Sequence, residues 1–195
     1  MMLGFTWAKG NDGDSVFGGA LAVGYDFYKK IQVPLRAELE YAAFSQAEGK
    51  SSETSYYDDV IFGKGSITQK LGVQTLFLNV YYDFRNSTAF TPYLGAGLGL
   101  AFLRAKGQQD WWNYYDGVLD ESGTFKLGAK TSTNFAWNIG AGLAYDFTDY
   151  FSLDLNYRFA GLGKAKTADV EGGGWRIKAD NVYMHQVLLA FRFTF

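Results

Sequence analysis

"VPLRAELEY", residues 33–41, alternates two kinds of side chain. In an extended chain successive side chains point to opposite faces. Val33, Leu35, Ala37, Leu39 and Tyr41 therefore share one face, and Arg36, Glu38 and Glu40 share the other. A strand with one greasy and one charged face separates two environments, and the question is which face turns inward.

The neighbouring segments answer it. Leu21, Val23, Tyr25 and Phe27 oppose Ala20, Ala22, Gly24 and Asp26, and Leu94, Ala96, Leu98, Leu100 and Phe102 oppose Tyr93, Gly95, Gly97, Gly99 and Ala101. Trp137, Ile139, Leu143, Tyr145 and Phe147 stand against Asn138, Gly140, Gly142 and Asp146. In "FSLDLNYRF" (151–159) the apolar set opposes Asp154, Asn156 and Arg158. One face is large and apolar throughout; the other is small or charged. A soluble ligand-binding barrel needs bulky apolar residues inside. Here the small and charged face suits a crowded interior, and the large face must meet lipid.

The tripeptide "YDF" recurs at 25–27, 82–84 and 145–147, each time closing an alternating segment just before another begins. This predicts hairpin units with tight turns near 29–32, 85–89 and 148–150, all at one end. Strands are expected near 2–8, 16–28, 33–45, 69–84, 90–104, 133–147, 151–163 and 181–195, with long polar surface loops at about 46–68, 105–132 and 164–180. Pro34 and Pro92 fall at strand starts, where a missing N–H is tolerated. The expected fold is all-β: an eight-stranded antiparallel transmembrane β-barrel, one domain over 1–195.

Composition removes several function classes. Eighteen Lys and Arg against 20 Asp and Glu leave a net charge of −2, without the basic footprint of a nucleic-acid binder. Cysteine is absent and His185 is the single histidine, so thiolate and multi-histidine metal sites are excluded and no cofactor is expected. The first ten residues, "MMLGFTWAKG", lack a basic leader before an apolar core, as expected of a mature form.

The YDF strand ends, "TPYLGAGLGLAF" (91–102), "FSLDLNYRF" and the closing "FRFTF" (191–195) together resemble the opacity-protein and OmpA-like family of small outer-membrane barrels. That resemblance spans essentially the whole chain. It implies residence in the bacterial outer membrane, periplasmic turns, surface loops and a plugged lumen. It also implies a surface antigen or adhesin, without enzymatic activity, as the function. The partners implied are outer-membrane lipids and lipopolysaccharide, a host or environmental surface ligand, and the barrel-assembly machinery, which would read the terminal Phe195.

Four constellations carry possible chemistry. Arg36, Glu38, Glu40, Asp154, Arg158 and Arg192 point inward, three positive and three negative charges, and are expected to satisfy one another. A weakly conducting barrel is the alternative they leave open. Asp26, Asp83 and Asp146 form an inward rim at the short-turn end, expected to pair with Arg192 or be solvated. His185 lies on the lipid face, where it would be the base of a lipid A-modifying enzyme, but Ser is missing two residues on and an acidic partner is missing nearby. Finally, Trp111, Trp112, Tyr114 and Tyr115 in the third long stretch are read either as recognition anchors in a loop or as rings of strands five and six extended beyond the membrane, in the outer belt or packed on neighbouring loops, and Tyr56 and Tyr57 in the second are further candidate contacts.

Overall fold

The computed structural model describes residues 1–10, 15–56, 61–166 and 178–194. Nine strands follow in order: β1 (Met2–Gly10), β2 (Ser15–Asp26), β3 (Leu35–Phe44), β4 (Ala47–Tyr56), β5 (Ile61–Asp83), β6 (Phe90–Tyr115), β7 (Val118–Thr148), β8 (Phe151–Lys166) and β9 (Lys178–Phe193). All pair antiparallel with their neighbours, and β1 pairs with β9 while β3 pairs with β5, which closes the sheet into a ring. The expected eight staves are present: β3 and β4 are one stave broken at Ser45–Gln46. There the Ser45 N–H donates to the Phe17 carbonyl at 2.7 Å, ending the contact with β2, and β4 continues along β5 alone.

Both faces follow the alternation. Leu21, Val23, Tyr25, Leu39, Leu98, Ile139, Leu155 and Tyr157 are exposed to the lipid, whereas Ala20, Ala22, Arg36, Glu38, Glu40, Asn138, Asp154 and Arg158 are buried inside. At the short-turn end aromatic rings form a belt in three groups, Tyr25 with Phe27, Tyr82 with Phe84, and Phe90, Tyr145, Phe147, Phe151 and Phe193, ring centroids within each lying about 5 Å apart. The three short connections fall as expected, the first as one helical turn, α1 (Tyr28–Ile31), ended by Gln32 at φ 57°. Phe195 lies outside the described residues.

The interior holds more bulk than a face of small residues suggests. Large inward side chains lie directly across from glycine on the next strand: Phe77 opposite Gly99, Tyr81 opposite Gly95, Tyr93 opposite Gly142, Arg158 opposite Gly140, and Glu38 opposite Gly24. A Cβ on Gly95 would stand 2.3 Å from the Tyr81 ring. The inward glycines are thus the sockets of the plug. Towards the outer end Ala8, Val16, Val73, Phe77, Ala101, Leu103, Leu162 and Met184 pack into an apolar layer, and the charged layer lies between it and the turns.

The larger departure is outside the membrane. The stretches 46–68 and 105–132, expected as loops, are mostly strand. Residues 47–56, 61–71, 104–115 and 118–131 continue the sheet as a four-stranded blade beyond the barrel. Its central hairpin closes in a two-residue turn, with Asp116 at φ 47° and Gly117 at φ 74°, the left-handed pair that an Asp-Gly turn supplies. Of the stretch 164–180, residues 164–166 and 178–180 are strand, and 167–177 lie outside the described residues.

Candidate functional site

The lumen charges come together in pairs, with one partner added, and among the described residues Glu38 Oε2 and both oxygens of Asp154 accept no hydrogen bond. Arg158 makes a two-pronged ion pair with Glu40, its Nη1 at 3.0 Å from Oε2, and both side chains are buried. Its Nε donates to Gln186, whose amide donates to the Thr6 hydroxyl at 2.7 Å, and Thr6 in turn donates to the Val187 carbonyl. Nearer the turns Arg36 bonds Glu38 on its own strand and Asp83 on the neighbouring strand β5, with Nη2 to Oδ1 at 3.3 Å. The Arg36 guanidinium lies 4.4 Å from the Tyr81 ring centre and 5.1 Å from that of Tyr93. Arg192 lies 3.4 Å from Asp154 and 4.0 Å from Asp146.

Two expectations need correcting here. Asp83 is no solvated rim carboxylate: it is 3% exposed and belongs to Arg36. With it the inward set of three cations faces four carboxylates, Glu38, Glu40, Asp83 and Asp154, so the balance of three and three fails. A turn adds a further cation together with a further carboxylate. Arg85 pairs with Asp26 and lies 3.7 Å from Asp83. Sequence alternation does not reveal it, because a turn residue has no face to be read. Asp146 meets Arg192 as expected and also accepts a hydrogen bond from Ser152 at 2.6 Å. The packed apolar layer lies above this network on the outer side.

His185 faces outward, with its Nδ1 2.7 Å from the Tyr157 hydroxyl and its ring against Phe159. This is an aromatic contact on the lipid side, and neither serine nor carboxylate approaches the imidazole among the described residues.

The aromatic residues of the blade are strand residues, which matches the alternative of strands extended beyond the membrane and not the loop reading: Trp111, Trp112, Tyr114 and Tyr115 end β6, and Tyr56 ends β4. Tyr57 lies outside the described residues. Alternation also divides the group. Trp111 belongs to the face continuing the lumen side and lies over Gly123, where a Cβ would meet the indole at 2.7 Å. Trp112 and Tyr114 belong to the opposite, outward face, beside Lys64, whose ammonium is 5.3 Å from the Tyr114 ring centre. Tyr115 stands 59% exposed at the turn. The blade therefore presents two aromatic surfaces, one on each face, rather than a single cluster. Antiparallel pairing with β5 and β7 fixes the backbone of these rings, so little conformational freedom remains to be lost on contact.

Between them Asp110 accepts hydrogen bonds from the Thr124 hydroxyl at 2.7 Å and from the Gln108 amide at 3.0 Å. These bonds hold its carboxyl below the usual aspartate range, Thr124 contributing most. A depressed folded value stabilises the hairpin above the ordinary aspartate range, and this contribution is lost as pH falls through the lower value. We expect Thr124→Val to raise the Asp110 titration midpoint, read by carboxyl-carbon NMR. An unchanged midpoint would remove Thr124 as the cause.

Over residues 1–195 the chain matches the outer membrane protein beta-barrel domain family. Outer membrane protein PagN of Salmonella typhimurium is 34% identical over 152 residues, which cover 76% of this chain and 59% of PagN. A Rickettsia conorii protein named as a candidate adhesin is 28% identical over 187 residues, 95% of this chain and 69% of its own length. Among solved structures, Neisserial surface protein A superposes with a TM-score of 0.56 at 20% identity, covering 100% of this chain and 95% of that one. The outer membrane enzyme PagL gives 0.51 at 13%, covering 97% and 98%. At these identities both likenesses are of fold.

Proposed function

This chain belongs to the outer membrane protein beta-barrel domain family and resides in the bacterial outer membrane, and we propose that it is a non-enzymatic surface adhesin whose blade is the recognition element. The observation that carries this reading is the blade itself. Strands of 23, 26 and 31 residues are far longer than the 9–11 residues that cross a bilayer, and the excess holds Trp111, Trp112, Tyr114 and Tyr115 away from the membrane on a paired sheet. Rigid aromatic rings with one polar end are effective contact residues. Relatives named as candidate adhesins support the same reading. A host or environmental surface ligand is the partner proposed, and the terminal strand is proposed to be read by the assembly machinery.

The test is adhesion of cells displaying the intact barrel to a panel of host cells, matrix proteins and glycans. A version with 108–128 replaced by a short Gly/Ser link is compared at equal surface amount. Binding is expected to fall at least tenfold with the blade shortened, and Trp112→Ala with Tyr114→Ala is expected to reproduce most of that loss. Equal binding by the shortened version would overturn the assignment.

A further inference from the structure

The turn end of the barrel holds two adjoining cavities, of about 430 and 200 Å³, whose walls share Asp26, Arg36, Arg192 and Thr194. Their charges do not balance. Asp26, Asp83, Asp146 and Asp149 line the larger cavity and Glu38 the smaller, against Arg36, Arg85 and Arg192. Arg85 answers Asp26, Arg36 answers Asp83, and Arg192 is divided between Asp146 and the buried Asp154. With Asp154 counted, these three arginines serve six carboxylates.

The surplus reaches deep into the barrel. Glu38 lines the smaller cavity yet is only 4% exposed. Its Oε1 bonds Arg36, whereas its Oε2 accepts no hydrogen bond among the described residues. A buried carboxylate oxygen without a donor is costly, and an N–H arriving there gains a charge-assisted bond that the protein itself does not supply.

The spacing of the carboxylates selects the kind of cation. Among the described residues no three of them come close enough together to hold a metal ion. They are instead strung from the exposed Asp149 and half-exposed Asp146 at the last short turn to the buried Glu38. Met2 and Ala22 add an apolar wall beside Glu38. Ammonium groups separated by methylenes match both features, and a compact ion matches neither.

We propose that this vestibule binds a linear polyamine from the turn side, one ammonium donating to Glu38 Oε2 and another held at the mouth by Asp146 and Asp149. Glu38 lies on β3 and the two aspartates at the junction of β7 and β8, staves that are not neighbours. The bound ligand therefore ties separate parts of the ring together and stabilises the folded form.

The experiment titrates the intact barrel, in a neutral detergent, with spermidine by isothermal titration calorimetry. Butylamine, which carries one ammonium, and Mg²⁺ are run beside it. Spermidine should bind saturably, one per barrel, and raise the unfolding temperature. Butylamine should bind about tenfold more weakly, having lost a second charge-assisted contact. Glu38→Gln should weaken spermidine by about the same factor, for the loss of one such contact. Asp146→Asn with Asp149→Asn should weaken it several-fold, and this variant leaves Glu38 and Arg36 in place should Glu38→Gln fold poorly. Asp120→Asn, which removes a charge from the exposed blade, should change nothing. The proposal is overturned if spermidine binding does not saturate, if butylamine binds as tightly, or if Mg²⁺ displaces spermidine at equal charge concentration. Parent-like binding by either folded carboxylate variant would overturn it equally.

Discussion

Arg158→Met is expected to cost this barrel about 3–5 kcal/mol of unfolding free energy, the loss typical when one member of a buried ion pair is removed. Glu40 is fully buried, and both its oxygens bond the Arg158 guanidinium. Without that guanidinium a carboxylate is left in an interior that water reaches poorly. The loss travels further, because Arg158 also orients Gln186, and Gln186 orients Thr6 on the first strand, so four staves, β8, β3, β9 and β1, are joined through one side chain. The companion variant distinguishes charge from packing. Glu40→Leu combined with Arg158→Met removes both charges and is expected to recover most of the lost stability. Urea unfolding of the folded barrel in lipid vesicles, run as a double-mutant cycle, measures both. A cost for Arg158→Met below 1 kcal/mol would mean that water reaches Glu40 and the lumen is open.

Gly142→Val is the second large effect. Gly142 lies between Tyr93 on β6 and Asn156 on β8, and a Cβ there would stand 2.3 Å from the Tyr93 ring and 2.7 Å from the Leu155 carbonyl oxygen. The ring could turn aside only by leaving its edge-to-face contact with Tyr81, 5.4 Å between centroids, and its place beside Arg36. The backbone oxygen cannot turn aside. We expect about 3 kcal/mol of overpacking cost, at the upper end for an inserted side chain. A reduced yield of the folded, heat-resistant form on electrophoresis should accompany it. Gly142→Val with Tyr93→Ala should restore part of the loss by clearing the ring, leaving the clash with the backbone. Full stability in the single variant would show that the Tyr93 ring has space to move.

The barrel was legible because lipid and lumen are different solvents. Wherever a strand has lipid on one side and packed lumen on the other, its side chains must alternate, and Leu35–Arg36–Ala37–Glu38–Leu39–Glu40 does so residue by residue. The blade was not legible by that route. Both faces of 105–115 and 118–131 meet water, so neither period nor face is imposed, and "KGQQDWWNYY" reads as a loop. The usable signal was "YDGV" at 115–118, whose Asp-Gly pair specifies a two-residue hairpin turn. Followed outward from that turn, it predicts Tyr115 opposite Val118, as observed.

The candidate residues divide in the same manner. The sequence by itself determined the compartment, the ring of staves, the turn end and the six inward charges, because each follows from local alternation and from what a narrow interior can hold. Only the tertiary structure decided who pairs with whom. Arg158 on β8 finds Glu40 on β3 at a separation of 118 residues, across a lumen whose geometry is set by closure of the whole ring, and Arg36 finds Asp83 at 47 through the pairing of β3 with β5. It also decided that Trp111 and Trp112, adjacent in sequence, serve opposite faces of the blade, because a paired strand sends consecutive side chains apart.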